Sequence, residues 1–126
     1  MSYVILALLL SLAATPDTSE IEFGSGGGFS GAITTYVLND KGELFKLNAF
    51  RQERELLKKI DLGLTKSFFQ RIKDEGFLDL KVNKPGNTYK FLKLRLDGTS
   101  HDLVWVGKSE NKNLNLFYTD LQALRL

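Results

Sequence analysis

A single histidine, His101, and no cysteine set the limits on the chemistry available to this chain. Zinc sites draw on several converging imidazoles and thiolates, so neither a zinc centre nor disulfide or thiolate chemistry is expected. Asp102 directly follows His101, but neighbouring side chains on a strand point to opposite faces, and the two make no catalytic dyad. The paired carboxylates of a glycosidase must face each other across a cleft. Asp74, Glu75 and Asp79 are the candidates; they surround an expected helix end and a loop, where surface charge is the simpler reading. No catalytic residue, metal ligand or cofactor is assigned, and a non-enzymatic protein is expected.

The most unusual segment is Gly24-Ser25-Gly26-Gly27-Gly28-Phe29-Ser30-Gly31. Glycine-rich turns offer backbone N–H groups to anions, but a phosphate loop runs from a strand into a helix and ends in Lys-Ser/Thr. Here the run leads into the β-branched residues Ile33, Thr34 and Thr35 and contains no lysine, so nucleotide binding is not expected. Two readings stay open. The run is either a connection between strands or an edge loop presenting Phe29 to a partner, because an apolar ring on a polar loop is costly to expose. On the second reading Gly26, Gly27, Gly28, Phe29, Ser30 and Gly31, with Tyr36 on the adjoining strand, form a binding surface. Tyr36, Tyr89 and Trp105 are read in two ways as well, as core aromatics or as an exposed sheet face that recognises a ligand or protein.

The 126 residues are 43% hydrophobic and 25% charged, with a net charge of +2, which places the chain among ordinary globular proteins. Acids and bases are interleaved, so the one-sided field that attracts nucleic acid is missing. Lys81, Lys84, Lys90, Lys93 and Arg95 read as a solvated sheet face, and no nucleic-acid partner is expected. Val4 to Leu12 is aliphatic except for Ser11 and is followed by Ala13-Ala14-Thr15-Pro16. That run is shorter than the about 20 residues a membrane span needs and matches the core of a secretory signal; a buried N-terminal element is the alternative. The expected division is a signal peptide at 1–14, a spacer at 15–19 and one domain at 20–126. The product is expected in a periplasm or outside the cell, with no stable membrane span once the signal is removed.

Period-two alternation predicts strands at Glu20–Phe23, Ala32–Leu38 and Glu43–Phe50. Asn39-Asp40-Lys41-Gly42 forms the turn between the last two. Arg51 to Ile60 suits either a helix or an edge strand, with a short strand preferred. Thr65 is the expected cap of a helix over Lys66–Glu75, stapled by Leu64 and Phe69, buried through Phe68, Phe69 and Ile72, and ended by Gly76. Pro85-Gly86-Asn87 is a turn. Asp97-Gly98 is the strongest hairpin signal; its register sets Leu96 opposite Thr99, Leu94 opposite His101, Lys93 opposite Asp102 and Leu92 opposite Leu103. Asn113 is expected to cap a final helix with Leu114, Phe117, Tyr118, Leu121 and Leu124 on its buried stripe. The fold class is α+β, an antiparallel sheet of about five to six strands with two helices on one face.

From Ile21-Glu22-Phe23 through Gly26-Gly27-Gly28-Phe29-Ser30-Gly31, the chain resembles a group of uncharacterised small exported bacterial proteins, as does its Pro85-Gly86-Asn87 turn. More distantly it is similar to the emfourin family of inhibitors of thermolysin-like metalloproteases. That family opens with a similar strand and a Gly-Gly-Phe-x-Gly loop, and Gly76-Phe77-Leu78-Asp79-Leu80 is similar to its segment after the helix. The resemblance implies a protein partner, a protease, and inhibition rather than catalysis. No inhibitory residue is carried over, because no position matches a contact motif. The expected function is an exported protein-binding domain; the alternative is a periplasmic domain holding a small apolar or sugar-like ligand between helices and sheet.

Overall fold

The computed structural model describes residues 18–28, 31–48 and 53–126. The expected signal peptide and residues 15–17 of the spacer lie outside the described residues. Strands β1 (Glu20–Gly27), β2 (Ile33–Asn39), β3 (Glu43–Asn48) and β4 (Glu53–Lys59) precede helix α1 (Leu62–Asp74); β5 (Thr88–Leu96), β6 (Thr99–Trp105) and helix α2 (Lys112–Ala123) follow. The strands form one sheet in the order β4-β3-β2-β1-β5-β6, and every neighbouring pair is antiparallel. The α+β class and the strand count are as expected.

Local chemistry explains the two firmest turns. Asp97 (φ 49°) and Gly98 (φ 82°) both adopt positive φ, the conformation of a type I′ turn whose twist matches its flanking strands. The β5–β6 register is the expected one, with Leu96 opposite Thr99, Leu94 opposite His101, Lys93 opposite Asp102 and Leu92 opposite Leu103. At the β2–β3 turn, the Asn39 side-chain oxygen accepts from the Lys41 and Glu43 backbone N–H groups at 3.0 and 2.9 Å. The segment from Arg51 to Ile60 resolves as a strand over its described part.

Both helices start earlier than expected. Asp61, not Thr65, caps α1 by accepting from the Leu64 N–H at 3.0 Å. Leu64 is therefore inside the helix and 45% exposed, so it forms no staple. Thr65 is instead fully buried and its hydroxyl donates to the Asp61 carbonyl. Gly76 does end the helix: at φ 69° it donates to the Lys73 carbonyl while Phe77 N–H donates to that of Ile72, a Schellman pair of bonds. Asn111, not Asn113, caps α2 by accepting from Leu114 N–H.

The core lies on one face of the sheet, where Ile21, Phe23, Leu38, Leu92, Leu94 and Leu103 meet Phe68 and Ile72 of α1 and Leu114, Phe117 and Leu121 of α2. Phe117 packs against both Phe68 and Phe77, at centroid distances of 5.7 and 5.0 Å. Arg71 ties the helices together, bonding Asp120 at 2.9 Å. Replacing Asp61 by alanine is expected to cost about 1 kcal/mol through loss of the helix cap, read as a lower urea midpoint with an unchanged slope.

Candidate functional site

The glycine-rich run is divided: Gly24 to Gly27 belong to β1, and the residues after Gly27 connect β1 to β2, as the first of the two readings expected. β1 runs on through Gly26 and Gly27 and is hydrogen-bonded on both sides, with Gly26 opposite Ile33 of β2 and Tyr89 of β5 and Gly27 opposite Thr88. It lies in the middle of the sheet, not at an edge. Gly28 makes a bend, donating to the Asn87 carbonyl at 2.8 Å, and Gly31 donates back to Gly28 at 3.2 Å. Phe29 and Ser30 lie outside the described residues. Close approach explains Gly24, Gly26 and Gly27 better than flexibility does. A Cβ at Gly24 would collide with the Thr34 carbonyl oxygen and stand 3.0 Å from the Phe91 ring. At Gly27, φ is 94° and a Cβ would strike the Asn87 carbonyl. An open groove of about 390 Å³ lies beside this strand end, lined by Gly26, Gly27, Ala32, Thr88, Lys90 and Gly107 among others.

Tyr36 does not belong to that surface. It is 8% exposed within the helix-side core, stacked on Phe23 at 5.6 Å. Its hydroxyl accepts from Arg125 at 2.8 Å, and the same guanidinium lies 4.7 Å from the ring centroid. Trp105 is on this side too, 2% exposed, edge-on to Tyr118. Strand alternation puts Tyr89 on the opposite face, so the three aromatics share no exposed surface. Lys90 and Lys93 likewise part company: Lys90 donates to the Gly107 carbonyl beside Tyr118, whereas Lys93 lies over Phe91.

The sheet face that carries no helix among the described residues holds the more distinctive site, and of its residues the sequence reading named Tyr89 alone as facing a ligand or protein. Registers align Leu47, Thr35, Gly24, Phe91 and Val104 in one row across five strands. The next row is Phe45, Val37, Glu22, Lys93 and Asp102. Val37 and Phe91 are buried although they lie outside the helix-side core. Cationic side chains lie over two rings of this face: Lys93 is 5.9 Å from the Phe91 centroid and Arg54 5.8 Å from that of Phe45. Arg54 also grips Glu20 through both guanidinium nitrogens at 2.5 and 3.0 Å. That bond, the largest influence, raises the arginine above its ordinary value despite its partial burial. Arg95 reaches the buried Glu22 at 3.3 Å. An open groove of about 600 Å³ remains between these charges and the strand end, with Ile33, Thr35, Leu47, Tyr89, Phe91 and Val104 on its walls. The signal was present in the alternation of Ile33, Thr35 and Val37, but one strand alone does not say which of its faces is left bare.

The two faces are tied through Gly24. Buried Tyr118 of α2 donates its hydroxyl to the Gly24 carbonyl at 2.7 Å and accepts from Gln122 at 2.9 Å. His101 has a structural partner, its Nε2 lying 2.5 Å from the Leu80 carbonyl oxygen. Among the described residues no three His, Cys, Asp or Glu side chains cluster in a way that could hold a metal ion, and no helix is long and apolar enough to cross a membrane. No protein-family model matches the chain, and no curated protein matches it in sequence.

Gly24→Ala is expected to destabilise the protein by about 1–3 kcal/mol through overpacking, measured by chemical denaturation. Tyr118→Phe should cost about 1 kcal/mol at neutral pH. Burial pushes the Tyr118 phenol above its ordinary value of 10.0, opposed by the Gln122 bond and Arg125. Above pH 10.0 the unfolded chain therefore loses this proton before the native one does, and stability falls as pH rises towards the native value. The phenylalanine variant should lose less stability than wild type over that window.

Proposed function

We propose that this chain is an exported, non-enzymatic protein-binding domain whose partner docks on the helix-free sheet face, with the glycine-rich end of β1 at the rim. The observation that carries this reading is the groove of about 600 Å³ over the Leu47-Thr35-Gly24-Phe91-Val104 row. A rigid sheet supports it from behind, and apolar walls with a charged rim are the usual anatomy of a protein interface. The favoured partner is a thermolysin-like metalloprotease, and the chain would act as its inhibitor. Support for that partner comes from the resemblance to the emfourins at Gly26-Gly27-Gly28-Phe29-Ser30-Gly31 and Gly76-Phe77-Leu78-Asp79-Leu80.

One observation favours a small ligand instead: the groove volume suits an organic molecule. Such a ligand would lie on the bare face and not between helices and sheet, where Phe68, Phe77 and Phe117 pack ring to ring.

Titrating the protein into a thermolysin-like protease should abolish peptide hydrolysis near equimolar ratio, and Phe91→Glu should weaken that inhibition by roughly a hundredfold, as expected for an interface anchor. Unchanged hydrolysis at large molar excess removes the protease version. Inhibition untouched by Phe91→Glu removes the docking face, and Phe29→Ala, measured in parallel, reports what the glycine-rich segment adds.

A further inference from the structure

The sheet ends in two edges, and they are treated differently. At β6 the preceding segment covers part of the edge: Lys84 N–H donates to the Val104 carbonyl at 2.9 Å, and Val104 N–H donates to that of Val82 at 3.0 Å. At β4 no described residue pairs with the outer edge. Unpaired strand edges are templates for another strand. Among the described residues, four of the eight exposed large apolar side chains, Leu56, Leu57, Leu62 and Leu64, fall within β4 and the first turn of α1. Leu56 and Leu57, next to each other at the middle of β4, leave the centre of this unpaired edge apolar.

The charge order along β4 says which partner fits. Glu53 and Glu55 come first, Lys58 and Lys59 last. An antiparallel copy of the same strand therefore sets acid against base, as a two-fold, self-complementary contact requires. The ladder irregularity between Leu44 and Phe45 selects the register. Lys58 is opposite Leu44 and Glu55 opposite Lys46, and Leu44 and Lys46 share the helix side of β3. Glu55 and Lys58, three residues apart, thus reach the same face, which unbroken alternation would forbid. Only a register centred between Leu56 and Leu57 then pairs Glu55 with Lys58 of the other copy, twice, around the paired leucines. Arg54 falls opposite Lys59 in this arrangement, but Glu20 already holds its charge, and Lys58, which donates to the Leu126 carbonyl oxygen at 2.7 Å within its own chain, takes Glu55 of the other copy as a further or replacement acceptor.

We infer that the protein self-associates through β4, joining two six-stranded sheets edge to edge about a two-fold axis. The groove over Gly24 stays free in both copies, so this inference does not rest on the docking reading above.

Charge reversal tests it. In sedimentation equilibrium the purified protein should show twice its monomer mass at high concentration. Glu55→Lys alone and Lys58→Glu alone should each weaken self-association at least roughly tenfold, because like charges then face each other twice. An equimolar mixture of the two variants should recover the dimer, since each supplies the charge the other lacks. A wild type that stays monomeric, as it would if residues 1–17 of its own chain covered the edge, overturns the proposal. So does a dimer indifferent to both reversals, or a mixture no better than its components. Hydrogen exchange on the wild type gives an independent reading should a variant fail to fold: protection of β4 amides must rise with protein concentration, and concentration-independent protection overturns the proposal.

Discussion

The pairing of β1 on both its edges is the constraint on which the rest of the structure depends. One edge carries the meander β2-β3-β4, the other the hairpin β5-β6, so the sheet has no continuity without it. Ile21 and Phe23 fill the helix side at no exposure, and from Gly24 onward the strand lets its neighbours come close. Side chains are given up there in exchange for backbone contact. Glycine weakens an ordinary strand, and the loss is tolerated here because both ladders and the Tyr118 hydroxyl hold the backbone.

The two faces of the sheet solve the burial problem differently. On one, α1 and α2 supply aromatic rings that interlock with strand leucines and exclude water. On the other, no helix is present among the described residues, and the charged heads of Arg54 and Lys93 lie over the Phe45 and Phe91 rings. That difference leaves an open groove on the bare face, and it is a property of the layer arrangement and of no single residue.

Legibility in the sequence followed the distance over which the deciding interaction acts. The β5–β6 register was readable because Asp97-Gly98 determines the turn and alternation does the rest within a few residues. The α2 stripe was readable from spacing alone. The α1 cap was not: Asp61 and Thr65 are both good capping types, and the choice depended on Ile60, whose N–H donates to Gly42 in the β2–β3 turn and stops β4 just before Asp61. That Gly24 to Gly27 continue β1 was not legible for a similar reason. Its partners Thr88 and Tyr89 lie some sixty residues away, and nothing local distinguishes a glycine that frees a loop from one that admits a neighbouring chain.

By itself, then, the sequence determined the α+β class with two helices on one face, most strand positions, the buried stripes of the helices and the hairpin turn. These follow from periodicity and turn chemistry, which act between near neighbours. Only tertiary structure decided that β1 is central, that Tyr36 and Tyr89 lie on opposite faces and that no described residue pairs with the outer edge of β4. Each of those depends on which strands pair across long stretches of chain. Pairing is settled by the collective burial of both partners and leaves no mark on either strand read alone.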